Sequence, residues 1–202
     1  MSKTEALAQE YALVEQHLTG IGAAVAIYGS ARLPENHPYC LLTERLAQRF
    51  AEAGLAVLTG GGPGIMAAAN KGAQAAGGVS VGVNIVLPHE QQPNPYQNLS
   101  LTLNDFSPRK AALTDYAQAY VVLPGGFGTL DELFQTLTLL QTGKLPPRPL
   151  VLVGRAFWDR LVGWLREQLA GNGLVKAEDC HLLTVSDNED EIVAAVLNSV
   201  AH

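Results

Sequence analysis

A chain of 202 residues, 48% of them hydrophobic and 16% charged, has the composition of one ordinary globular domain with a sizeable core, which excludes an intrinsically disordered chain. The formal net charge of −6 provides no basic surface for nucleic acid or for an anionic membrane. We therefore expect small ligands and protein partners.

The N-terminal segment and the cysteine content indicate a cytoplasmic protein. Acidic residues are spread through residues 1–20, which contain no apolar core of a signal peptide. No uninterrupted apolar stretch reaches the roughly 20 residues that span a membrane. Cys40 and Cys180 lack metal-ligand spacing and are too few for a disulfide framework, which fits a reducing compartment.

Short apolar runs alternate with segments of helical periodicity along the chain. This alternation predicts a doubly wound, mainly parallel, Rossmann-like α/β sheet with helices on both faces, in a single domain over residues 1–202. The predicted strands are 23–29, 55–60, 79–85, 99–103, 119–124 and 149–154, with a weaker one at 181–186, and the clearest helices are 41–54, 64–77, 109–118, 129–144 and 158–173.

Three of the predicted strand-to-helix junctions are rich in small residues. They are "YGSAR" at 28–32, "TGGGPGIMAAA" at 59–69 and "VVLPGGFGTLDEL" at 121–133. Sheets of this kind bind ligands beyond the carboxyl ends of their strands. Glycines there let the backbone approach a ligand, and the free N–H groups of a helix start favour an anion such as phosphate. Several such junctions at one sheet edge indicate a nucleotide.

Two common nucleotide sites fit this sequence poorly. The segment "GPGIMA" at 62–67 satisfies the G-x-G-x-x-A fingerprint of dinucleotide binding, but it follows the second predicted strand rather than the first. The next strand ends in Asn84 and Ile85, where that fingerprint needs an acid for the ribose. No G-x-x-x-x-G-K-[ST] segment occurs, which excludes a P-loop NTPase.

Two cations follow a predicted helix start in "DFSPRKAAL", residues 105–113. Ser107 suits the N-cap position and Pro108 the first helical position, which would place Arg109 and Lys110 in the first turn. Cations there oppose the helix dipole at a cost of roughly 0.3–1 kcal/mol each. They are either solvated surface cations or partners of an anion, supplied by a carboxylate or a ligand phosphate.

Glu132 is open to two interpretations as well. Thr129 and Glu132 form T-x-x-E at a predicted helix start, which is the sequence of a capping box. The glycines just upstream favour the alternative, because a helix start that holds a phosphate has less need of its own carboxylate cap.

These segments together resemble the Lonely guy family, long described as lysine decarboxylase-like and including cytokinin-activating phosphoribohydrolases. The segment "LPGGFGTLDEL" matches the family motif P-G-G-x-G-T-x-x-E, and "GSAR", "GGGPGIMAAANKGA" and the Arg-Lys pair of "SPRKAAL" follow the family's order and spacing. The similarity runs from about residue 23 to residue 173. Lysine decarboxylation itself is disfavoured, because neither Lys71, Lys110 nor Lys144 stands in a recognisable pyridoxal phosphate setting.

The resemblance implies hydrolysis of the N-glycosidic bond of a nucleoside 5′-monophosphate, AMP or N6-substituted AMP, to a free base and ribose 5-phosphate. It implies no cofactor and no metal. Arg109 and Glu132 would be catalytic, and Arg109 would pair with Glu132 or with the ligand and keep the carboxylate ionised at neutral pH. The implied substrate-binding residues are Ser30, Arg32, Gly61, Gly62, Glu90, Lys110, Gly125, Gly126, Gly128 and Thr129.

One loop departs from the plant-type members of that family. They have a short "GVIPK"-like segment where this chain has "GVNIVLPHEQQPNPYQ" at 82–97, which resembles another bacterial branch. We expect the loop at 87–98 to shape the base pocket, with Glu90 and Tyr96 influencing which base is accepted. Glu90 is equally open to being a solvated loop residue, and His89 is better explained as a surface residue than as a catalyst.

Two further expectations concern partners. The same fold and glycine motif serve in molybdenum-cofactor carrier proteins, so binding without turnover is the alternative to catalysis. The helical segment at 129–144 has more apolar residues than one face needs for packing on its own sheet. That excess, together with the family resemblance, predicts a homodimer or an assembly of dimers through this helix.

Overall fold

The computed structural model describes residues 2–88 and 92–200, and its centre is a seven-stranded sheet in which all neighbouring strands run parallel. The strand order is β4-β3-β2-β1-β5-β6-β7. This confirms the doubly wound Rossmann-like architecture. The strands are β1 (Ala24–Tyr28), β2 (Ala56–Thr59), β3 (Ser80–Ile85), β4 (Leu99–Leu103), β5 (Ala119–Val122), β6 (Leu150–Val153) and β7 (Leu183–Ser186).

Helices connect the strands and flank both ends of the chain. They are α1 (Lys3–Leu18), α2 (Pro38–Glu52), α3 (Ile65–Ala75), α4 (Phe106–Asp115), α5 (Phe127–Gln141), α6 (Arg155–Trp164) and α7 (Glu189–Asn198). A π-helical segment, Leu165–Ala170, continues α6, and a 3-10 segment, Ala177–Leu182, precedes β7. None of the helices in the described part of the chain is long and apolar enough to cross a membrane.

The first and last helices lie outside the predicted helical segments, although both begin with recognisable caps. In α1 the Ser2 hydroxyl accepts from the Glu5 N–H while the Glu5 carboxylate accepts from the Ser2 N–H, a complete capping box. In α7 the Asn188 side chain accepts from two N–H groups of the first turn. The sequence signals for both helices were therefore present at their ends rather than in their periodicity.

Helices cover both faces of the sheet because successive strand residues point to opposite sides. In β1, Ala24, Ala26 and Tyr28 belong to one core with α1, α4, α5 and α6. Val25 and Ile27 belong to the other core with α2, α3 and α7. Continuous burial on both faces explains the unbroken apolar sequences of inner strands such as β1 and β6, whereas the edge strand β4 alternates and exposes Ser100 and Thr102.

The strand order reverses beside β1. The chain moves outward from β1 through β2 and β3 to β4, and then returns to add β5 on the other side of β1. Hydrogen bonds from Leu123 N to Tyr28 O and from Ser30 N to Pro124 O, 2.9 and 3.1 Å, join the ends of β1 and β5. The turns after these two strands therefore lie side by side at the switch point where such sheets bind ligands.

Candidate functional site

A cavity of about 700 Å³ opens at this switch point. Its volume lies within the range of roughly 300–1,000 Å³ that is usual for small-molecule sites. One wall is the turn after β1, another is the turn after β5 with the first residues of α5, and the remainder comes from α3, α4 and the segment after β3. The lining residues are Gly29 to Arg32, Met66, Ile85, Leu87, Phe106, Arg109 and Gly125 to Glu132.

Arg109 and Glu132 form a largely buried ion pair in this cavity. The Arg109 Nη1 atom donates to Glu132 Oε1 at 3.1 Å, and the two side chains are 10% and 13% exposed. The Arg109 Nε atom donates to the Val83 carbonyl at 2.9 Å, and Nη2 contacts the Gly60 carbonyl at 3.4 Å. Three separate elements thus orient one guanidinium, so the interpretation of Arg109 as a solvated surface cation is wrong.

The protonation of Glu132 is set mainly by burial. Removal from water raises the pKa of the Glu132 carboxyl above its usual value, and the neighbouring Arg109 guanidinium opposes that rise without cancelling it. Arg109 therefore acts in the expected direction, because it favours the ionised carboxylate, but burial has the larger effect on the Glu132 pKa. A carboxyl with a raised pKa is a better proton acceptor than an ordinary surface glutamate when it is ionised.

The start of α5 faces the cavity without a side-chain cap from the described residues. Its N-cap is Gly126, so the capping-box interpretation of Thr129 and Glu132 is wrong. A Cβ added to Gly125 would meet the Thr129 side chain, whereas one added to Gly126 or Gly128 would have no heavy atom within 4 Å. Gly125 is therefore required by packing inside the protein, and Gly126 and Gly128 leave open space on the cavity side.

The start of α4 differs from the sequence prediction. The helix begins at Phe106 with Asp105 as its N-cap, and the Asp105 carboxylate accepts from Ser107 N at 2.8 Å. Ser107 is not the cap, and its hydroxyl instead lies 2.9 Å from the Tyr11 hydroxyl of α1. Arg109 and Lys110 consequently lie beyond the first turn, where the helix dipole opposes cations much less.

The glycine turn after β2 is packed rather than open. Gly61 and Gly64 have positive φ angles of 76° and 66°, and added Cβ atoms would meet Asn84 and the Ser30 carbonyl. Gly61 and Gly62 line a small cavity of about 40 Å³, which shares Met66, Ile85 and Arg109 with the 700 Å³ cavity. These two predicted substrate-binding glycines therefore lie beside the larger cavity and are not part of its lining.

Of the remaining predicted residues, some line the 700 Å³ cavity and others lie outside it. Ser30 and Arg32 line the 700 Å³ cavity, and the Ser30 hydroxyl accepts from Arg32 N at 3.1 Å. Lys110 lies outside that lining, with its ammonium 3.2 Å from the Asp131 carboxylate. Glu90 and His89 lie outside the described residues. Tyr96 does not line the cavity, and its backbone carbonyl accepts from the Ser80 hydroxyl.

Several cavity residues were not predicted from the sequence. Met66, Ile85, Leu87, Phe106 and Phe127 give the cavity an apolar part. Phe127 is 92% exposed and Phe106 52% exposed, which is unusual for phenylalanine in a folded chain. The apolar periodicity of the sequence does not predict this exposure, because phenylalanine is ordinarily assigned to a core.

Two other observations on the described residues concern metal binding and a second cavity. They contain no group of three or more His, Cys, Asp or Glu side chains arranged to hold a metal ion. A second cavity of about 200 Å³ lies between α5, α6 and the 3-10 segment, is mainly apolar, and contains none of the predicted site residues.

Fold and site together define a Rossmann-like α/β protein with a ligand-sized cavity at the switch point of its sheet. The family model described as "possible lysine decarboxylase" matches residues 66–196. The chain belongs to this family, the Lonely guy family.

Two similar relatives carry the same activity in their names. A cytokinin riboside 5′-monophosphate phosphoribohydrolase from Mycobacterium marinum is 34% identical over 175 residues, covering 85% of this chain and 91% of the relative. Its namesake from Mycobacterium tuberculosis is 32% identical with the same coverage of both chains.

Solved structures confirm the fold. The molybdenum cofactor carrier protein from Chlamydomonas reinhardtii superposes with a TM-score of 0.67 at 23% identity, covering 90% of this chain and 99% of that one. The molybdenum cofactor binding protein from Rippkaea orientalis has a TM-score of 0.64 at 17% identity, with coverages of 90% and 98%. At these identities the likeness concerns the fold alone.

Proposed function

We propose that this protein hydrolyses the N-glycosidic bond of a nucleoside 5′-monophosphate, AMP or an N6-substituted AMP, and releases the free base and ribose 5-phosphate. The observation that carries the proposal is the buried Arg109–Glu132 pair, which shares a cavity with the uncapped start of α5. The names of the mycobacterial relatives support the same reaction class.

The start of α5 is suited to the 5′-phosphate. The N–H groups of the first helical turn lack partners within the helix, and the helix dipole adds positive potential there. The open space at Gly126 and Gly128 lets an anion approach the backbone directly. Thr129, which also lines the cavity, offers a hydroxyl donor in the same turn.

Glu132 follows the phosphate site by about one helical turn, or roughly 5 Å along the axis. This separation puts its carboxylate near the sugar of a nucleotide whose phosphate lies at Gly126 to Thr129. Glycosidic cleavage passes through an oxocarbenium-like sugar, which a carboxylate stabilises. Arg109 orients that carboxylate through its 3.1 Å hydrogen bond.

The proposed step breaks the bond between C1′ and the base nitrogen, whose electron pair leaves with the base. The oxygen of a water molecule bonds to C1′, and the proton that this water loses passes to the Glu132 carboxylate. The departing base takes up one proton from solvent, and Glu132 returns its own to solvent, so the enzyme is regenerated. A raised pKa at Glu132 suits this role of general base.

The apolar part of the cavity is suited to the base. Met66, Ile85, Leu87, Phe106 and Phe127 offer surface for a planar heterocycle, and the exposed phenylalanine rings can stack on it. A nucleotide therefore matches the cavity at both ends, with its anion at the glycine turn and its ring among the apolar side chains.

Lysine decarboxylation, the activity in the family description, has less support. Lys71 pairs with Glu44 on the surface at 3.0 Å, Lys110 pairs with Asp131, and Lys144 is exposed after α5. None of these three lysines lines the 700 Å³ cavity. A lysine that forms a Schiff base with a carbonyl cofactor would have to reach it.

Binding of a phosphorylated pterin without turnover is the second candidate, because proteins of the same fold carry molybdenum cofactor binding in their names, although that likeness concerns the fold alone. A carrier needs the glycine turn but has no need of a buried carboxylate paired with arginine. Incubation of the purified protein with AMP separates the two functions. We expect equimolar adenine and ribose 5-phosphate to accumulate over many turnovers. Binding of AMP without release of adenine would support the carrier.

For the assembly, we propose a homodimer, or an assembly of dimers, in which a second copy covers a groove of about 520 Å³ between α4 and α5. Within the described residues, Gln135 Oε1 on this groove is the one buried side-chain oxygen or nitrogen without a hydrogen-bond partner. Leaving such a group unpaired costs about 1–3 kcal/mol, which a donor from a second copy would remove. Light scattering at micromolar concentration should give twice the mass of the chain or an even multiple of it, and a monomer would contradict the proposal.

A further inference from the structure

Amide side chains, two of them buried and one half-buried, lie against the glycine turn that follows β2. We call Asn84, Asn94 and Gln97 the amide cluster. Asn84 is in β3, and Asn94 and Gln97 are in the segment that leads to β4. Asn84 is 6% exposed and Asn94 8% exposed. None of the three lines the 700 Å³ cavity, and Asn84 lines the small cavity of about 40 Å³ beside Arg109.

The amide cluster holds the carbonyl groups of the glycine turn. The Asn94 Nδ2 atom donates to the carbonyls of Gly61 and Gly62, both at 3.0 Å, and the Asn94 backbone N–H donates to Gly61 O at 2.9 Å. The Gln97 Nε2 atom donates to the same Gly61 carbonyl at 2.8 Å. The positive φ of Gly61 is therefore fixed by three donors from one segment.

The same cluster also holds the end of β3. The Asn84 Nδ2 atom donates to Gln97 Oε1 at 3.0 Å and to the carbonyl of Leu101 in β4 at 3.2 Å. Asn84 and Gly61 are thus tied to each other through Gln97. A single, largely buried hydrogen-bond network therefore spans the turn after β2 and the last residues of β3.

Both carbonyls that accept from Arg109 lie next to this network. Gly60 immediately precedes Gly61, and Val83 immediately precedes Asn84. The Arg109 guanidinium contacts Gly60 so closely that a Cβ on Gly60 would meet its Nη2 atom. A shift of the Gly60 or Val83 backbone would therefore move the guanidinium and, with it, the Glu132 carboxylate.

We infer that the amide cluster positions Arg109 for the proposed reaction. Asn94 and Gln97 are positioning residues that act through the backbone of Gly60 and Val83, and they are not part of the base pocket. This reading replaces the expectation that the described part of the 87–98 loop selects the base. The expected change in kcat rests on the proposed function, whereas the expected change in the hydrogen bonding of Arg109 rests on geometry alone.

The test compares Asn94→Ala with Asn98→Ala. Asn98 is a matched control, because it lies in the same segment and its side chain makes two hydrogen bonds of 2.8 Å, to Ser80 N and Gly78 O at the start of β3. These bonds do not involve the glycine turn. Each variant is assayed for kcat and KM with AMP, for binding of ribose 5-phosphate, and for thermal stability.

Asn94→Ala should lower kcat by about tenfold to a hundredfold, the scale of a misplacement of about 1 Å at a reacting group. The KM for AMP and the affinity for ribose 5-phosphate should stay within about twofold, because the phosphate site is a different turn. Asn98→Ala should leave kcat within about twofold even where it loses comparable stability. Equal kcat values for the two variants would overturn the inference.

A second readout needs no substrate. The Arg109 Nε–H donates to Val83 O in a buried position, so its NMR signal should exchange slowly with solvent in the unmodified protein. Exchange should be faster in Asn94→Ala and unchanged in Asn98→Ala, and an unchanged signal in Asn94→Ala would overturn the inference. If the unmodified protein released no adenine, the proposed function would fail while this readout still tested the cluster.

If Asn94→Ala does not fold, Gln97→Met serves instead, because methionine keeps the length of the side chain and removes its donor to Gly61. The same exchange of the Arg109 Nε–H should accelerate in Gln97→Met. Slow exchange in that variant would contradict a positioning role for the amide cluster.

Discussion

The glycine turns after β2 and after β5 look alike in sequence but differ in what surrounds them. Added Cβ atoms at Gly61 and Gly64 would collide with Asn84 and with the Ser30 backbone. At Gly126 and Gly128 they would meet nothing within 4 Å. The first turn has its glycines because the protein itself fills the adjoining space. The second leaves space that a ligand can occupy.

This difference shows that a glycine motif can have two structural causes. Glycines in a packed turn maintain the backbone path, so their replacement should cost stability. Glycines in an open turn admit a ligand, so their replacement should cost binding. The Arg109–Glu132 pair connects the two turns, because Arg109 contacts the Gly60 carbonyl and Glu132 belongs to the helix that the open turn begins.

The largest effect is expected at the carboxylate between the two turns. Glu132→Gln should lower the rate of adenine release from AMP by about 10²–10⁴-fold, the usual range for loss of a general base. Glutamine keeps an oxygen that can accept from Arg109, so AMP binding and melting temperature should change little. Asp159→Asn is the control, since Asp159 is an acid of α6 that does not line the 700 Å³ cavity and is more than half exposed. Comparable losses in both variants would contradict a specific role for Glu132.

Replacing a glycine of the packed turn should mainly cost stability. Gly64→Ala forces a non-glycine residue to a φ of 66° and brings a Cβ against the Ser30 carbonyl. We expect the free energy of unfolding to fall by about 1–3 kcal/mol, as for other strained backbone positions. Denaturant titration measures this change, and an unchanged midpoint and slope would show that the turn is less tightly packed than described.

Replacing a glycine of the open turn should have the opposite effect on stability. Gly128 lies in the first turn of α5, and alanine in a helix is favoured over glycine by up to about 1 kcal/mol. Gly128→Ala should therefore melt at the same or a slightly higher temperature while binding ribose 5-phosphate more weakly. A variant that loses stability without losing affinity would remove the distinction between the two turns.

The smallest effect concerns pH. Because burial raises the pKa of Glu132, activity should fall with decreasing pH at a higher value than an ordinary glutamate would give. Stability changes with pH in the opposite direction to activity. A carboxyl whose pKa is higher in the folded than in the unfolded chain stabilises the fold fully at pH values below the unfolded-state pKa. This stabilisation is lost as the pH rises through the folded-state pKa. The stability of the native protein relative to Glu132→Gln should therefore decline over that pH window. A constant difference across the window would contradict a raised pKa.

Much of the fold follows from local sequence patterns. Strands buried on both faces have unbroken apolar sequences, which makes them easy to predict. The edge strand β4 also occupies residues 99–103 as predicted. The other strands are shorter than predicted by one or two residues at their ends, because apolar residues continue into the turns. The sequence predicts Ser107 as the α4 cap, whereas Asp105 is the cap in the structure, because both residues are good caps and the sequence alone does not choose between them.

The site was less predictable than the fold. Arg109 and Glu132 were proposed as partners because the family resemblance pairs them, and periodicity alone would not have joined residues 23 positions apart. Asn94 and Gln97 look like solvated residues of a polar loop, yet they lie against the glycine turn. Whether a glycine faces protein or open space depends on elements distant in sequence, so the packed and open turns could not be told apart beforehand.

The central claim is that the open turn holds the 5′-phosphate of the molecule whose glycosidic bond Glu132 helps to cleave. The most direct test measures kcat/KM for AMP and for adenosine in the unmodified protein and in Gly128→Ala. AMP should be strongly preferred by the unmodified protein, and Gly128→Ala should lose most of that preference by reacting more poorly with AMP alone. An equal preference for AMP in both proteins would contradict the account, because the phosphate would then be recognised elsewhere.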